Sequence, residues 1–382
     1  MQPSRLALSL AALAFVSSAA TAQTALGGNV SDTTTGPLLT GVVYHIASGI
    51  TVPSGATLTI QPGAILKFGA GGTFAVQGTL LVDGAPGQPV ILTSLADDSA
   101  GGDTNGDGPS SGAPGSWTYW RFSASASASV VQNAVVRFAG AGGWNPIRLD
   151  DCAATFRECV VEDNLGAGFH LTSSLAQPTI ADCTIRNNSG WAIDGARFES
   201  VLNLANNTAT GNGADSVLIS SPSLVANATV HARAGIGGVL TLLTTANVPA
   251  GLTLTLGRGV ILKHLQLAAF EVGGTLNCQG TAGQPVVITS FADDAFGGDS
   301  NGDGPSNGSP GQWVYLRFGA ASGASTLSHT ILRYGGGGGW SPIRVEAASP
   351  SFTNCTVEHA AGVGAVLAST AGAPVITGCN FR

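Results

Sequence analysis

The amino-acid sequence predicts an all-β protein, a right-handed parallel β-helix solenoid, and three features support this prediction. Charged residues make up only 10% of the 382 residues and there is a single Met, so residues that favour surface helices are scarce. Val, Ile, Leu and Thr are abundant and 55 Gly residues punctuate them, a composition typical of short strands joined by tight turns. The chain also repeats itself on two length scales.

The longer repeat is a set of segments that recur at a constant offset of 196 residues, as from position 52 to position 248. Val52-Pro-Ser-Gly-Ala-Thr-Leu-Thr-Ile returns as Val248-Pro-Ala-Gly-Leu-Thr-Leu-Thr-Leu. A constant offset without insertion or deletion indicates a duplicated unit. We predict an N-terminal extension or cap at 23–40, a first β-helix unit at 41–236 and a truncated second unit at 237–382. One solenoid can run through the junction of the two units.

The shorter repeat has a period of 24 residues and is clearest in the first unit. The recurring positions are Phe156, Ile180 and Leu204, and then Asn164, Asn188 and Asn212. This period matches one coil of three short strands, so about 340 residues give roughly 14 coils. Like residues in successive coils stack about 4.8 Å apart, which predicts inward apolar ladders and an Asn ladder at a turn.

Two segments carry a resemblance to a known group of proteins. Gly49-Ile-Thr-Val-Pro-Ser-Gly-Ala-Thr-Leu-Thr-Ile-Gln-Pro-Gly63 and Gln177-Pro-Thr-Ile-Ala-Asp-Cys-Thr-Ile-Arg-Asn-Asn188 resemble secreted bacterial right-handed β-helix proteins of the pectin-lyase-like superfamily. The resemblance extends over nearly all of the chain after residue 22. It implies the fold but selects no activity, because that superfamily includes lyases, hydrolases and adhesins.

The first 22 residues have the pattern of a secretory signal peptide. Arg5 precedes a short apolar run at 6–16, and Ala20-Thr-Ala22 is a small-residue cleavage site before Gln23. We therefore expect a secreted protein, extracellular or at the cell surface. No later stretch has the roughly 20 uninterrupted apolar residues of a transmembrane helix, so we expect no membrane span. The formal net charge of −7 also argues against nucleic-acid binding.

An acidic segment interrupts the coil rhythm in each unit. Asp97-Asp-Ser-Ala-Gly-Gly-Asp-Thr-Asn-Gly-Asp-Gly108 has its counterpart in Asp293-Asp-Ala-Phe-Gly-Gly-Asp-Ser-Asn-Gly-Asp-Gly304. Four carboxylates so close together repel one another unless they are solvated or bound to a cation. Oxygen ligands at alternate positions select a hard ion such as Ca²⁺. A solvated acidic loop without metal is the alternative.

The spacing resembles the first half of an EF-hand loop but departs from it at the end. Pro114 and Pro310 occupy the position of the bidentate Glu, so the missing carboxylate must come from one of the two leading Asp residues of each loop. Similar loops recur in the β-helix proteins named above, and the resemblance implies a structural Ca²⁺. The candidate ligands are Asp97, Asp98, Asp103, Asn105 and Asp107, and Asp293, Asp294, Asp299, Asn301 and Asp303.

Trp residues form the second group of candidates. Trp117 and Trp313 directly follow the acidic loops, and either anchor each loop to its coil or stack on a sugar ring. The Gly-Gly-Trp-x-Pro-Ile-Arg turns place a Trp beside an Arg, a combination suited to acidic glycans or to simple packing of the Trp over the turn. The candidate ligand-binding residues are Trp144, Arg148, Trp340 and Arg344.

The Cys residues favour no single interpretation. Cys159 with Cys183, and Cys355 with Cys379, are expected to be inward neighbours in adjacent coils, as disulfides or as small buried side chains. The chain ends at Arg382 in mid-coil without a polar cap, so we expect a longer protein or a partner that covers this end.

The predicted function depends on which candidate catalytic residues recur in both units. Asp150 and Asp151 are the best carboxylate pair for a glycosidase, but their counterparts are Glu346 and Ala347. His170 and His264 have no His counterpart, and we interpret both as incidental. Tandem copies suit a multivalent or structural module better than an enzyme. We predict a non-catalytic, calcium-binding scaffold or adhesive surface module that contacts polysaccharide, with a calcium-dependent polysaccharide lyase or glycoside hydrolase as the alternative.

Overall fold

The computed structural model describes residues 23–172, 175–232, 235–368 and 372–382. The predicted signal peptide lies outside the described residues. The described chain is an all-β parallel solenoid whose strands form five parallel sheets, here named A to E. The prediction of the fold class is confirmed, and the fourteen strands of sheet B agree with the expected number of coils.

Sheets A, B and C contain the strands from Gln23–Ala25 to Ala214–Ile219, and sheet B continues into the second unit. Sheet A consists of Gln23–Ala25, Val43–Ile46, Ile65–Phe68, Val90–Ser94, Ala134–Arg137, Val160–Glu162, Thr184–Arg186 and Thr208–Thr210. Sheet B consists of Gly28–Asn29, Gly49–Val52, Thr73–Val76, Tyr119–Phe122, Ile147–Leu149, Phe169–Leu171, Trp191–Ala196, Ala214–Ile219, Val239–Leu242, Ile261–His264, Val286–Ser290, Thr330–Arg333, Thr356–Glu358 and Asn380–Phe381. Sheet C consists of Thr57–Ile60, Thr79–Asp83, Val130–Gln132, Thr155–Arg157, Thr179–Ala181 and Leu204–Ala205.

Sheets D and E contain strands of the second unit together with Ala228–Val230 from the end of the first. Sheet D consists of Ala228–Val230, Thr253–Gly257, Thr275–Gln279, Thr326–Ser328, Ser351–Thr353 and Val375–Thr377. Sheet E consists of Ala246–Val248, Phe270–Val272, Leu316–Phe318, Ile343–Val345 and Ala365–Leu367. Short 3₁₀ turns lie at Ala124–Ala126, Ala141–Gly143, Phe198–Ser200, Ile236–Gly238, Ala320–Ser322 and Gly337–Gly339. None of the helices in the described ranges is long and apolar enough to cross a membrane.

The shorter repeat sets the register of the stack. Phe156 pairs with Ile180, and Ile180 pairs with Leu204, so the period is one coil. All three side chains are fully buried in the apolar interior of the solenoid. This stacking is the apolar ladder that the sequence predicts.

The Asn ladder is also present. Asn164 donates through Nδ2 to Asn188 Oδ1 at 2.9 Å, and Asn188 donates in the same way to Asn212 at 2.9 Å. Each amide also donates to a backbone carbonyl of a neighbouring coil. The buried amides are therefore paired with one another and with the backbone, which removes the cost of burying them.

All six Cys residues lie in the described ranges and are free thiols. Cys159 and Cys183 are buried, and each donates to a carbonyl two residues earlier, at 3.2 and 3.3 Å. Of the two interpretations, the structure agrees with small buried side chains in a ladder.

The two units differ in how they sit around the solenoid axis. The strand Ile65–Phe68 lies in sheet A, whereas its counterpart Ile261–His264 lies in sheet B. The counterpart of the sheet B strand Gly49–Val52 is Ala246–Val248 in sheet E. Sheet B runs through both units without a break, so the second unit is turned by one face relative to the first. The sequence alone does not reveal this rotation, because the offset between matching segments stays constant.

Candidate metal loops and aromatic ledges

Each acidic loop folds back over the outer face of a sheet. The first loop, residues 95–116, leaves sheet A after Ser94 and returns to sheet B before Tyr119. Leu66 and Phe68 point into the core, so Lys67 between them points outward, yet Lys67 is fully buried because the loop covers it. The second loop, residues 291–312, covers the corresponding Lys263 on sheet B in the same way.

The buried Lys residues tie the loops to the coils. Lys67 Nζ donates to Gly102 O at 2.6 Å and to Thr104 Oγ1 at 3.0 Å, and Lys263 Nζ donates to Gly298 O at 2.8 Å. Burial lowers the pKa of both Lys side chains, and the loop carboxylates act against that shift. The sequence did not lead us to predict this role. The signal that points to it is a Lys retained at the same place in an apolar strand of both units.

The first Asp of each loop binds Arg rather than facing the other carboxylates. Asp97 is buried and lies 2.6 Å from the guanidinium of Arg137, and it also accepts from Thr93 and Ser99. Asp293 is fully buried and lies 2.7 Å from Arg333. Their oxygens already have partners. Of the two leading Asp residues of each loop, Asp98 and Asp294 lie with the other carboxylates, whereas Asp97 and Asp293 lie outside those groups.

The remaining carboxylates of each loop converge. One oxygen from each of Asp98, Asp103 and Asp107 lies within 4.8 Å of the others, and Asp294, Asp299 and Asp303 form the same group. Ca²⁺–oxygen distances of about 2.3–2.6 Å place ligands on opposite sides of the ion about 4.6–5.2 Å apart. The spacing of the carboxylates thus fits a shared calcium ion.

Hydrogen bonds order the carboxylates of each loop, but some carboxylate oxygens have no hydrogen-bond partner. Asp103 accepts from the amides of Gly106 and Gly108 at 2.7 and 3.1 Å, which curls the loop around its carboxylate. Oδ1 of Asp98 and Oδ1 of Asp294 are buried and have no hydrogen-bond partner. A buried carboxylate oxygen without a donor is costly, and a bound cation would remove that cost.

The Asn residues of the loops take part through their amides. Asn105 Nδ2 donates to Asp107 Oδ2 at 2.7 Å, and Asn301 Nδ2 donates to Asp303 Oδ2 at 2.8 Å. This orientation leaves the amide oxygen free to act as a ligand. Oδ1 of Asn301 is buried and without a partner, as for the Asp oxygens above.

The charges around each loop leave a negative excess. In the first loop four Asp side chains face two cations, Lys67 and Arg137, and in the second loop Lys263 and Arg333 have the same positions. A net of two negative charges per loop is the charge that one divalent cation neutralises. The donor set is all oxygen, which suits a hard cation such as Ca²⁺ better than a softer metal.

Trp117 and Trp313 anchor the loops. Both are fully buried, and their indole N–H groups donate to the carbonyls of Arg137 and Arg333 at 2.8 and 2.6 Å. Neither ring is open to a sugar. Of the two interpretations of these Trp residues, the packing one is confirmed.

Trp144 and Trp340 are instead exposed, by 40% and 44%. The guanidinium carbon of Arg148 lies 4.8 Å from the centre of the Trp144 ring, and Tyr119 meets that ring edge-on at 5.2 Å. We name Tyr119, Arg121, Trp144 and Arg148 the first ledge.

The second ledge repeats this arrangement on sheet E and consists of Tyr315, Arg317, Trp340 and Arg344. Arg344 lies 4.5 Å from the Trp340 ring, and Tyr315 meets the ring at 5.5 Å. Each ledge is therefore an exposed Trp ring in contact with the guanidinium group of an Arg.

Carboxylates lie between the Arg residues of each ledge. Asp150 accepts from Arg121 and, at 3.2 Å, from Arg148. Glu346 accepts from Arg344 at 2.7 Å. Asp150 is thus held by two guanidinium groups, and it does not form with Asp151 the free carboxylate pair that glycoside hydrolysis requires.

The rotation of the second unit brings the first ledge and the second acidic loop to one face. The second loop covers the part of sheet B that follows Trp191–Ala196. Phe291 at its start lies 5.3 Å from Trp191, and Ser300 O accepts from the amide of Asp215 at 2.9 Å. The second loop therefore bridges the junction between the units.

Comparison with known proteins supports the fold. A family model described as a right handed beta helix region matches residues 122–248, which include Trp144, Arg148 and the unit junction. No curated protein matches the chain. The matched region contains neither acidic loop, so the comparison bears on the solenoid rather than on the loops.

Proposed function

We propose that this protein is an exported calcium-binding β-helix scaffold, or adhesive surface module, that contacts carbohydrate without catalysing a reaction. The observation that carries the calcium part is the buried, unpartnered Oδ1 atom at the same position of both loops, Asp98 and Asp294. The neighbouring carboxylates lie at calcium spacing, and each loop has an excess of two negative charges.

The proposed role of calcium is to brace the coils. The first loop accepts a hydrogen bond from Gln23 of the outermost described coil through Thr104 O at 2.9 Å, and the second bridges the unit junction through Ser300. A cation that fixes each loop in this shape would therefore stabilise the coils beneath it.

The carbohydrate part rests on the two ledges. An exposed Trp face suits the apolar face of a sugar ring, and a guanidinium suits a carboxylate or sulfate on it. The ledges lie on two different sheets, B and E, so each would offer a separate surface for such a sugar.

The test is a calcium titration by calorimetry on residues 23–382, with thermal melts in calcium and in chelator. We expect two sites per chain and a lower melting temperature in chelator. Asp103→Ala with Asp299→Ala should abolish binding and the calcium-dependent part of the melting temperature. Asp83→Ala, an exposed carboxylate outside both loops, is the matched control and should change neither. Absence of binding at millimolar calcium would contradict the metal assignment.

One observation favours the alternative, a polysaccharide lyase. His170, held by Asp194, lies in register beside Arg148, so a base stands next to a cation that suits a uronate carboxylate. In β-elimination the base takes the C5 proton, the C4–C5 double bond forms as the C4–O bond breaks, and the leaving oxygen takes a proton from water. Ultraviolet absorbance of the unsaturated product, from oligogalacturonate with and without calcium, decides between the two functions.

A further inference from the structure

The two ledges match in their aromatic and Arg residues but differ in what surrounds them. In the strand before Arg121 the paired residue is Ala75, whereas in the strand before Arg317 it is Glu271. In the strand after Arg148 the paired residue is His170, whereas Val366 pairs with Arg344. The ledges therefore have different charges.

The second ledge is internally neutralised. Glu271 accepts from Arg317 at 2.6 Å and from the Tyr315 hydroxyl at 2.8 Å, and Glu346 accepts from Arg344 at 2.7 Å. Two Arg and two Glu residues sum to zero charge. Val366 is next in this row, so the row of the second ledge contains no His.

The first ledge continues into a row that contains a His. Arg121, Arg148, His170 and Asp194 occupy paired positions on four successive strands of sheet B. Neighbouring strands lie about 4.8 Å apart, so each side chain stands beside the next. His170 Nδ1 contacts Asp194 Oδ1, and the His170 side chain retains 23% exposure to solvent.

The charge of this row depends on His170. The charged groups on the flanking strands are Arg148 on one side and Asp194 on the other, with Arg121 and Asp150 one strand further. Two Arg and two Asp residues sum to zero while the imidazole is neutral, and to one positive charge when it is protonated. Imidazoles gain a proton within the range of about pH 5–8.

We propose that the first ledge with His170 is a proton-regulated site for acidic carbohydrate, whereas the second ledge binds without dependence on pH. This inference rests on the proposed carbohydrate contact and adds its regulation. Protonation of His170 adds one positive charge beside Arg148 and so strengthens binding of a uronate or sulfate group. From the sequence His170 was interpreted as incidental, because it has no His counterpart in the second unit; its partner Asp194 lies one full coil away in the chain.

The experiment measures binding of a short oligogalacturonate, and of a neutral oligogalactose of equal length, between about pH 7.5 and about pH 5.5 at fixed calcium. Trp340→Ala removes the Trp of the second ledge, so the first ledge alone stays intact. Trp144→Ala removes the Trp of the first ledge, so the second alone stays intact. In the Trp340→Ala protein we expect oligogalacturonate affinity to rise about fivefold across this range, since one added charge acts at close contact in partly exposed surroundings. The neutral oligomer and the Trp144→Ala protein should show no such rise.

Two substitutions separate regulation from structure. His170→Val installs the residue of the second ledge and should abolish the rise. Asp194→Asn removes one negative charge while keeping the side-chain shape, and should raise affinity already at neutral pH.

Persistence of the rise in the His170→Val protein would overturn the inference and leave the proposed function standing. Oligogalacturonate binding to neither ledge at any pH would instead refute the carbohydrate contact itself, and the inference with it.

Discussion

The two acidic loops are built on the same plan but rest on different rings. Trp117 of the first loop stacks on Phe68 with ring centres 4.4 Å apart, and Trp313 of the second loop stacks on His264 at 4.9 Å. His264 is fully buried and neither of its nitrogens has a hydrogen-bond partner. The solenoid thus accepts a polar ring where an apolar one fits, at a cost in stability that the first loop avoids.

The Arg–Asp ion pairs of the two loops differ as well. We name Arg137 with Asp97 the first clamp and Arg333 with Asp293 the second clamp. Arg333 binds Asp293 and also lies 2.8 Å from Glu358 of the next coil, and it is less exposed than Arg137. Asp97 has hydrogen bonds from both Thr93 and Ser99 in addition to Arg137. In the second clamp a single guanidinium therefore neutralises two carboxylates, those of Asp293 and Glu358.

The largest expected effect is the loss of the second clamp. Arg333→Ala leaves the carboxylate of Asp293 buried without its cation, which typically costs about 3–5 kcal/mol of unfolding free energy. Arg137→Ala should cost less, because Arg137 is more exposed than Arg333, and Arg333 also holds the carboxylate of Glu358. Denaturant unfolding of both variants at fixed calcium measures the difference. Equal losses would show that the two clamps are energetically equivalent.

Exchange of the rings comes next in size. His264→Phe gives the second loop the ring of the first and removes two unpartnered nitrogens, so we expect a gain of about 1–3 kcal/mol. Phe68→His is the mirror substitution and should lose a similar amount. Thermal melts near neutral pH measure both. A destabilised His264→Phe protein would mean that the imidazole has a partner after all.

The ring beneath the second loop, His264, should also make stability depend on pH, whereas Phe68 beneath the first loop cannot. Burial lowers the pKa of His264 to about 3 from an ordinary value of 6.5. Above pH 6.5 the imidazole is neutral in both states, so its ionisation does not change stability there. Between pH 6.5 and about 3 the unfolded chain binds a proton that the folded chain does not, so stability falls by about 1.4 kcal/mol per pH unit.

The comparison that isolates this effect is between the parent protein and His264→Phe. Their difference in unfolding free energy should grow steadily as pH falls from 6.5. A difference that stays constant with pH would contradict the burial of a neutral His264.

Much of the fold was accessible from the sequence because stacking repeats the same contact in every coil. A spacing of 24 residues places Phe156, Ile180 and Leu204 in register, and the Asn ladder obeys the same spacing. The loops were recognisable for a similar reason, since oxygen-rich residues at alternate positions curl around one centre.

The ligand set of the loops was less accessible. Asp97 and Asp98 are adjacent in sequence, and only their partners distinguish them. Arg137 lies on a later coil and takes Asp97, which leaves Asp98 with an unpartnered oxygen beside the other carboxylates. The buried role of Lys67 was missed for the same reason, because the loop that covers it follows much later in the chain.

The sequence by itself determined the all-β solenoid, its coil length, its apolar and Asn ladders and the positions of the acidic loops, because these depend on residue type and regular spacing. Only the tertiary structure decided which face each loop and ledge occupies. The second unit is turned by one face, which brings the second loop to the sheet of the first ledge. That rotation depends on how the junction coils pack, and packing between coils leaves no trace in a constant sequence offset.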